Sequence, residues 1–298
     1  MIKKNKNLYI VFIVLSVTLS VLMFYIAANK TIFNKSSNTN NTPSGNVSSD
    51  SLSATDYEKN SSTAVQSRFI DTELTSKNIG VPVLYYHSVN KNAENEVTIS
   101  PEMLEKQLDY INDNEYITIT INELYDHLIN NQPIPEKSIV ITFDDGYMNN
   151  YTEAFPLLKE RDMKATIFCV GNSLDGSYYL SKDAIKEMSD YGIDIESHTV
   201  NHMHLDTLNY DEQLSEMKNS KDILENITGK NVTAIAYPFG DFNDDSIKAA
   251  KEAGYKLAFT THLGLSDRKD DIYALDRIYI SSNYDMNTFK ELIKNTSK

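Results

Sequence analysis

From Ile79 onward the chain alternates short apolar runs, rich in β-branched and aromatic residues, with amphipathic segments of helical period. This alternation limits the fold more than any other feature, because strand–helix–strand units pair their strands in parallel with one handedness. The runs "VPVLYYH", "YITIT", "SIVITF", "ATIFCV", "IDIES", "AIAYP", "LAFTT" and "DRIYI" read as strands. Helices are expected between most of them. "SPEMLEKQLDYINDN" has Ser100 as N-cap, Pro101 in the first turn, and Met103, Leu104, Leu108 and Ile111 on one face. Thr120 and Glu123 form a capping-box pattern for "INELYDHLINN", and Pro156 should kink or delimit "YTEAFPLLKER". About eight strands, most followed by a helix, predict an α/β fold, a parallel (β/α) barrel or a close variant. A doubly wound open sheet is the alternative, but no glycine-rich phosphate loop follows any strand.

The segment before Ile79 has a different character. Residues 1–7 carry Lys3, Lys4 and Lys6, and Leu8 to Ala28 then run 21 residues without a charge. As a helix this stretch would reach roughly 31 Å, enough to span a bilayer. The basic flank places the N-terminus in the cytoplasm and the remainder outside. A cleaved signal peptide competes with this reading, but "YIAANK" is a poor cleavage site, so an uncleaved single-pass anchor is the expectation. Residues 29–78, rich in Ser, Asn and Thr, read as a flexible tether, with a catalytic domain over 79–298.

The formal charge of −14 lies outside the basic anchor flank, so the exported part is strongly acidic and lacks the basic stripe that phosphate recognition needs. Nucleic acid is excluded as a partner. The single cysteine, Cys169, sits in an apolar strand, so an intrachain disulfide is excluded and a small buried thiol is expected.

In parallel barrels the reacting groups lie at the C-terminal strand ends. Those ends carry His87 after "VLYY", Asp144 and Asp145 after "IVITF", His198 after "IDIES", and the "YPFG" turn after "AIA". For a lone histidine ending an apolar run, a hydrogen-bonded core position is the ordinary outcome. His198 and His202, four apart, would share one face of a helical turn and could hold one metal, although a chance pair has the same spacing. Asp145 would complete a two-histidine, one-carboxylate set. Two adjacent aspartates repel unless a cation lies near, which a divalent ion provides; a helix N-cap role explains only one of them. Asp144 would then accept a proton from an activated water, Phe239 would offer its N–H to an oxyanion because Pro238 has none, and His87 is the available acid. His204 lies two beyond His202 and is expected to be structural. Tyr237, Pro238 and Gly240 of the same turn are candidates for substrate contact. The 19 tyrosines could line a sugar groove, but no one of them stands out.

These residues resemble the NodB-type polysaccharide deacetylases, carbohydrate esterase family four. "TFDDG" at 142–146 matches the first motif, "SHTVNH" at 197–202 the histidine pair, and "YPFG" at 237–240 the third motif, within a match over about 81–280. The resemblance implies an irregular (β/α) barrel, Asp144 as base, and Asp145, His198 and His202 holding one divalent ion, usually Zn2+, with Co2+, Mn2+, Ni2+ or Fe2+ as alternatives. Two departures stand out. Ala236 occupies the place of the third motif's usual arginine, and "YALDRIYI" lacks the family's late histidine. Both are shared with the circularly permuted branch resembling poly-N-acetylglucosamine deacetylases, whose acid comes from an early "YH" motif such as "YYHSV" here. Arg277 is expected to replace the missing arginine and orient Asp144.

The function implied is metal-dependent removal of acetyl from N-acetylglucosamine units of a surface or wall polymer, peptidoglycan or poly-N-acetylglucosamine, by a monomeric catalytic domain outside the cell. Three alternatives stay open. An O-acetyl polysaccharide esterase would use the same chemistry. A non-heme iron oxygenase would need neither Asp144 nor a histidine acid and would require oxygen. An inactive sugar-binding module would ordinarily have lost Asp144 or a metal ligand.

Overall fold

A computed structural model describes residues 68–70, 72–92 and 95–296. The basic terminus, the expected span and most of the expected tether lie outside the described residues, among which no helix is long and apolar enough to cross a membrane. Seven strands form the barrel: β1 (Val83–Tyr86), β2 (Ser138–Phe143), β3 (Thr166–Cys169), β4 (Asp194–Ser197), β5 (Ala234–Ala236), β6 (Leu257–Leu263) and β7 (Leu275–Tyr279). They lie in the order β1-β7-β6-β5-β4-β3-β2, every pairing is parallel, and β2 closes onto β1 through Val83↔Val140 to Tyr86↔Phe143.

The expected count of about eight is corrected to seven. "YITIT" yields only Ile117–Thr118, which pairs with Ser138 and Ile139 at the start of β2. The rest of β2 pairs with β1, so the circle closes without an eighth strand.

The helices are α1 (Pro101–Asp113), α2 (Ile121–Asn130), α3 (Phe155–Glu160), α4 (Lys182–Tyr191), α5 (Tyr210–Thr228), α6 (Asp244–Glu252) and α7 (Met286–Asn295). Their starts follow the local chemistry. Ser100 accepts from the Met103 N–H, and Thr120 with Glu123 completes a capping box. Pro156 sits in the first turn of α3, where its missing N–H costs nothing, after a π-helical turn over Asn150–Ala154. On α1, Gln107 rather than Met103 joins the buried face, its amide oxygen accepting from the Tyr86 hydroxyl.

Strand residues sort by parity, as successive side chains point to opposite faces. Leu84, Ile139, Ile141, Ile167, Ile195, Ile235, Ala258 and Ile278 pack in one core with Leu104 and Leu108 of α1, Met188 of α4 and Leu224 of α5. The alternate set, Val83, Val140, Phe168, Ala234, Ala236, Leu257, Phe259 and Leu275, fills the barrel interior and continues into Ile121, Leu124 and Leu128 of α2. Continuing the inner parity to the C-terminal strand ends reaches His87, Asp144, His198 and Arg277.

The expected domain start at Ile79 is too late. Phe69 is buried, Arg68 donates to Glu123 and to the Thr118 carbonyl, and Leu74–Thr75 pairs antiparallel with Ile134–Pro135. Two apolar side chains within a polar stretch suffice to dock it beside α2.

Candidate active site

Asp144 and Asp145 leave β2 in different directions because the backbone reverses between them. Asp144 continues the inner row, its N–H donating to the Tyr86 carbonyl, while Asp145 has φ 73° and turns out of it. Gly146 follows with φ 73°, and a Cβ there would lie 3.2 Å from the Cys169 sulfur, so the "DDG" turn needs its glycine. Cys169 is a buried free thiol that packs under this turn. Seven non-glycine described residues have positive φ, and four of them, Asp145, Thr199, His202 and Phe239, lie in the motif loops. Strain concentrated in this way is typical of functional sites.

Asp145 meets both histidines. Its Oδ1 lies 3.4 Å from His198 Nε2 and 3.2 Å from His202 Nε2, and one ligand atom from each of the three fits within a 4.8 Å group. His198 Nδ1 sits 2.8 Å from the Ala236 carbonyl, which can only accept, so Nδ1 carries the proton and the Nε2 lone pair faces Asp145. A carboxylate and imidazole lone pairs converging on one point form a donor set that suits a divalent cation. Burial works to raise the Asp145 pKa, but when their Nε2 atoms carry protons instead of facing an ion, His198 and His202 donate to its carboxylate and hold it below the usual carboxylate range.

The expected helical turn through "HTVNH" is not formed. Thr199 and His202 both have left-handed φ, and the loop folds back so that the His202 N–H donates to Thr199 Oγ1. Glu216 of α5 clamps it, accepting from the N–H groups of Val200 and Asn201 and from the Asn201 amide. No spacing rule pointed to Glu216, which lies on a distant helix. His204 turns away from the cluster, pairing with Asp241 at 2.6 Å and stacking on Phe239 at 3.9 Å between ring centroids.

Arg277 forms a bidentate pair with Asp144, Nη1–Oδ1 and Nη2–Oδ2 both 2.8 Å, and both residues are buried. The guanidinium also donates to the Thr260 carbonyl and to Thr142 Oγ1, and lies 4.3 Å from the centroid of the Tyr85 ring. Ala236 leaves room in the inner row of β5, and Arg277 reaches Asp144 from β7 instead. Burial would raise the Asp144 pKa; Arg277, joined by His198 and His87, holds it below the usual value.

His87 stands at the same rim between the rings of Tyr85 and Tyr279. Its Nδ1 is buried without a hydrogen-bond partner among the described residues, unlike a satisfied core histidine. Burial lowers its pKa, opposed by the carboxylates of Asp144 and Asp145.

In the "YPFG" turn, Tyr237 N–H donates to the Phe259 carbonyl and Gly240 N–H to the Tyr237 carbonyl, which leaves Phe239 as the turn's candidate oxyanion donor. Of the candidates for substrate contact in this turn, Tyr237 and Pro238 offer little surface. Both are buried, and the Tyr237 hydroxyl is spent on the Tyr273 carbonyl. Gly240 is needed for space, since a Cβ would strike Thr261 Oγ1 at 2.0 Å.

Residues 131–258 match the family model described as polysaccharide deacetylase. The chain is 37% identical over 228 residues to YxkH of Bacillus subtilis, named as a polysaccharide deacetylase, covering 76% of this chain and 80% of that one. It is 34% identical to the poly-beta-1,6-N-acetyl-D-glucosamine N-deacetylase of Staphylococcus epidermidis over 54% of this chain and 59% of that one. Among solved structures, Streptococcus pyogenes deacetylase PplD in complex with acetate superposes with TM-score 0.70 at 31% identity, over 73% of this chain and 100% of that one. With its barrel, its motif loops and these relatives, the chain belongs to the polysaccharide deacetylase family and is a hydrolase that removes acetyl groups.

Proposed function

We propose that this enzyme removes N-acetyl groups from N-acetylglucosamine residues of a wall or surface polysaccharide, releasing acetate and leaving a free amine. The observation that carries the reading is the bidentate Arg277–Asp144 pair set beside the Asp145, His198 and His202 cluster, with His87 at the same rim. An N-deacetylase among the relatives supports an amide rather than an ester as the bond cleaved.

Asp145, His198 and His202 would hold one divalent ion, with Zn2+ the first choice for this donor set. When bound, such an ion polarises the acetyl carbonyl and makes water more acidic. The chain's own groups do the rest. Asp144, kept ionised by Arg277, accepts the proton of the attacking water. The Phe239 N–H faces the oxygen that gains negative charge as the carbon becomes tetrahedral. His87 gives a proton to the departing nitrogen as the C–N bond breaks, which yields acetate and amine. Residues 8–28 would anchor the enzyme in the cell membrane with the catalytic domain outside, beside a wall polymer.

The test is acetate release from an N-acetylglucosamine oligomer, with and without a chelator, for wild type and Asp144→Asn. Release that needs both the ion and Asp144 is expected. No release from peptidoglycan or from β-1,6-linked oligomers would overturn the reading.

A further inference from the structure

Three tyrosines outside the motifs gather beside Asp145. Tyr147 follows the "DDG" turn, two residues after Asp145. Its ring stacks on Tyr179 at 5.5 Å and meets Tyr178 edge-on at 5.3 Å, and Tyr178 is perpendicular to Tyr179 at 5.0 Å. The backbones are tied as well: Met148 N–H donates to the Tyr178 carbonyl and Leu180 N–H to the Gly146 carbonyl. Asp175 secures the loop from the other side by accepting from the N–H groups of Ser177, Tyr178 and Tyr179. The cluster is therefore held in register with the turn that carries Asp144 and Asp145.

Tyr178 is 64% exposed although its loop is well tied. Among the described residues, the large hydrophobic side chains classed as exposed include two aromatics, Tyr178 and Phe239. Tyr178 meets Tyr147, two residues from Asp145, and Phe239 meets His202 at 4.5 Å. Among the described residues, the two most exposed Tyr and Phe rings thus belong to loops that adjoin the Asp145, His198 and His202 cluster.

We propose that Tyr178, supported by Tyr147 and Tyr179, is a stacking platform for the pyranose ring adjacent to the sugar being deacetylated. The occupant follows from chemistry. The ring face of a pyranose presents C–H groups of slight positive character, which pack on the negative face of an aromatic ring, while its hydroxyls stay in water. The proposal rests on the deacetylase reading for the identity of the polymer, and its test separates the two.

A glucosamine hexamer, already free of acetyl groups, gives binding without turnover. The metal-loaded full chain should bind it, with Kd raised about tenfold by Tyr178→Ala, equivalent to ~1.4 kcal/mol, and changed less than about twofold by Tyr178→Phe, which keeps the ring. Circular dichroism and a thermal melt confirm that each variant folds. Equal binding by wild type and Tyr178→Ala, or no binding by wild type, overturns the platform. Acetate release from the acetylated hexamer is read in parallel. Binding that depends on Tyr178 without release supports the platform and sinks the deacetylase reading; release with binding indifferent to Tyr178 does the reverse.

Discussion

The two ends of the barrel carry buried or partly buried carboxylates with opposite fates. At the C-terminal rim, Asp144 meets the Arg277 guanidinium and its pKa is lowered. Toward the other end, Glu196 and Asp194 of β4 accept only from backbone N–H groups and a threonine hydroxyl, namely Thr233, Ala234 and Ile121. Burial, reinforced for Glu196 by Asp194, pushes Glu196 up to about 8 and Asp194 up to about 6. Glu196 lies within β4 and His198 just past its C-terminal end, two positions apart on the same inward-facing parity. The contrast shows that burial without a paired cation raises a carboxyl's pKa, whereas a bidentate cation keeps it charged and able to accept a proton.

Removing the cation should collapse the contrast most severely. Arg277→Ala leaves Asp144 buried and unpaired, so a loss of about 3–5 kcal/mol in unfolding free energy is expected together with nearly all turnover. Denaturant unfolding and acetate release measure the two. Asp144→Asn should lower kcat by about 10²- to 10⁴-fold while zinc affinity, measured by calorimetry, persists. A matching loss of zinc would show that Asp144 belongs to the ligand set instead. The histidines sharpen the assignment further: His198→Ala should abolish both zinc binding and turnover, whereas His87→Ala should keep the zinc and lose about 10²-fold in kcat.

The smallest effect is expected at the other end. Glu196 has a folded-state pKa above its ordinary value, so its neutral form favours the native state. Its contribution is complete below pH ~4.5 and is lost as pH rises toward 8. Wild-type stability should therefore decline over that window, and Glu196→Gln, which stays neutral, should flatten the decline without altering kcat. Thermal melts from pH 5 to 8 decide this, and an identical slope in both proteins would refute it.

The rim was legible where the chemistry is local. Asp144, Asp145, His198 and His202 follow from strand ends and motif spacing, and α1 and α2 begin where their caps stand. Legibility failed where a contact spans the fold. The "HTVNH" loop looks helical by spacing, but Glu216 on α5 and the left-handed Thr199 shape it otherwise. Tyr237 looks like a rim residue because it adjoins a motif, yet its side chain points into the core. Phe69 is lost to composition, since one ring in a polar stretch carries no period that marks it as folded.

The sequence by itself determined the parallel α/β alternation and, through strand parity, which side chains face inward. These are properties of neighbours along the chain, set by backbone geometry with period two or 3.6. Only the tertiary structure decided that β2 closes on β1 at seven strands, whereas the Arg277–Asp144 pair was expected from the family resemblance and not from any local pattern. It also decided that Glu196 is buried among backbone donors while Asp144 is buried against a charge. Closure joins Val83 to Val140, and the ion pair joins Asp144 to Arg277, and no local pattern encodes the distance between groups so far apart in the chain.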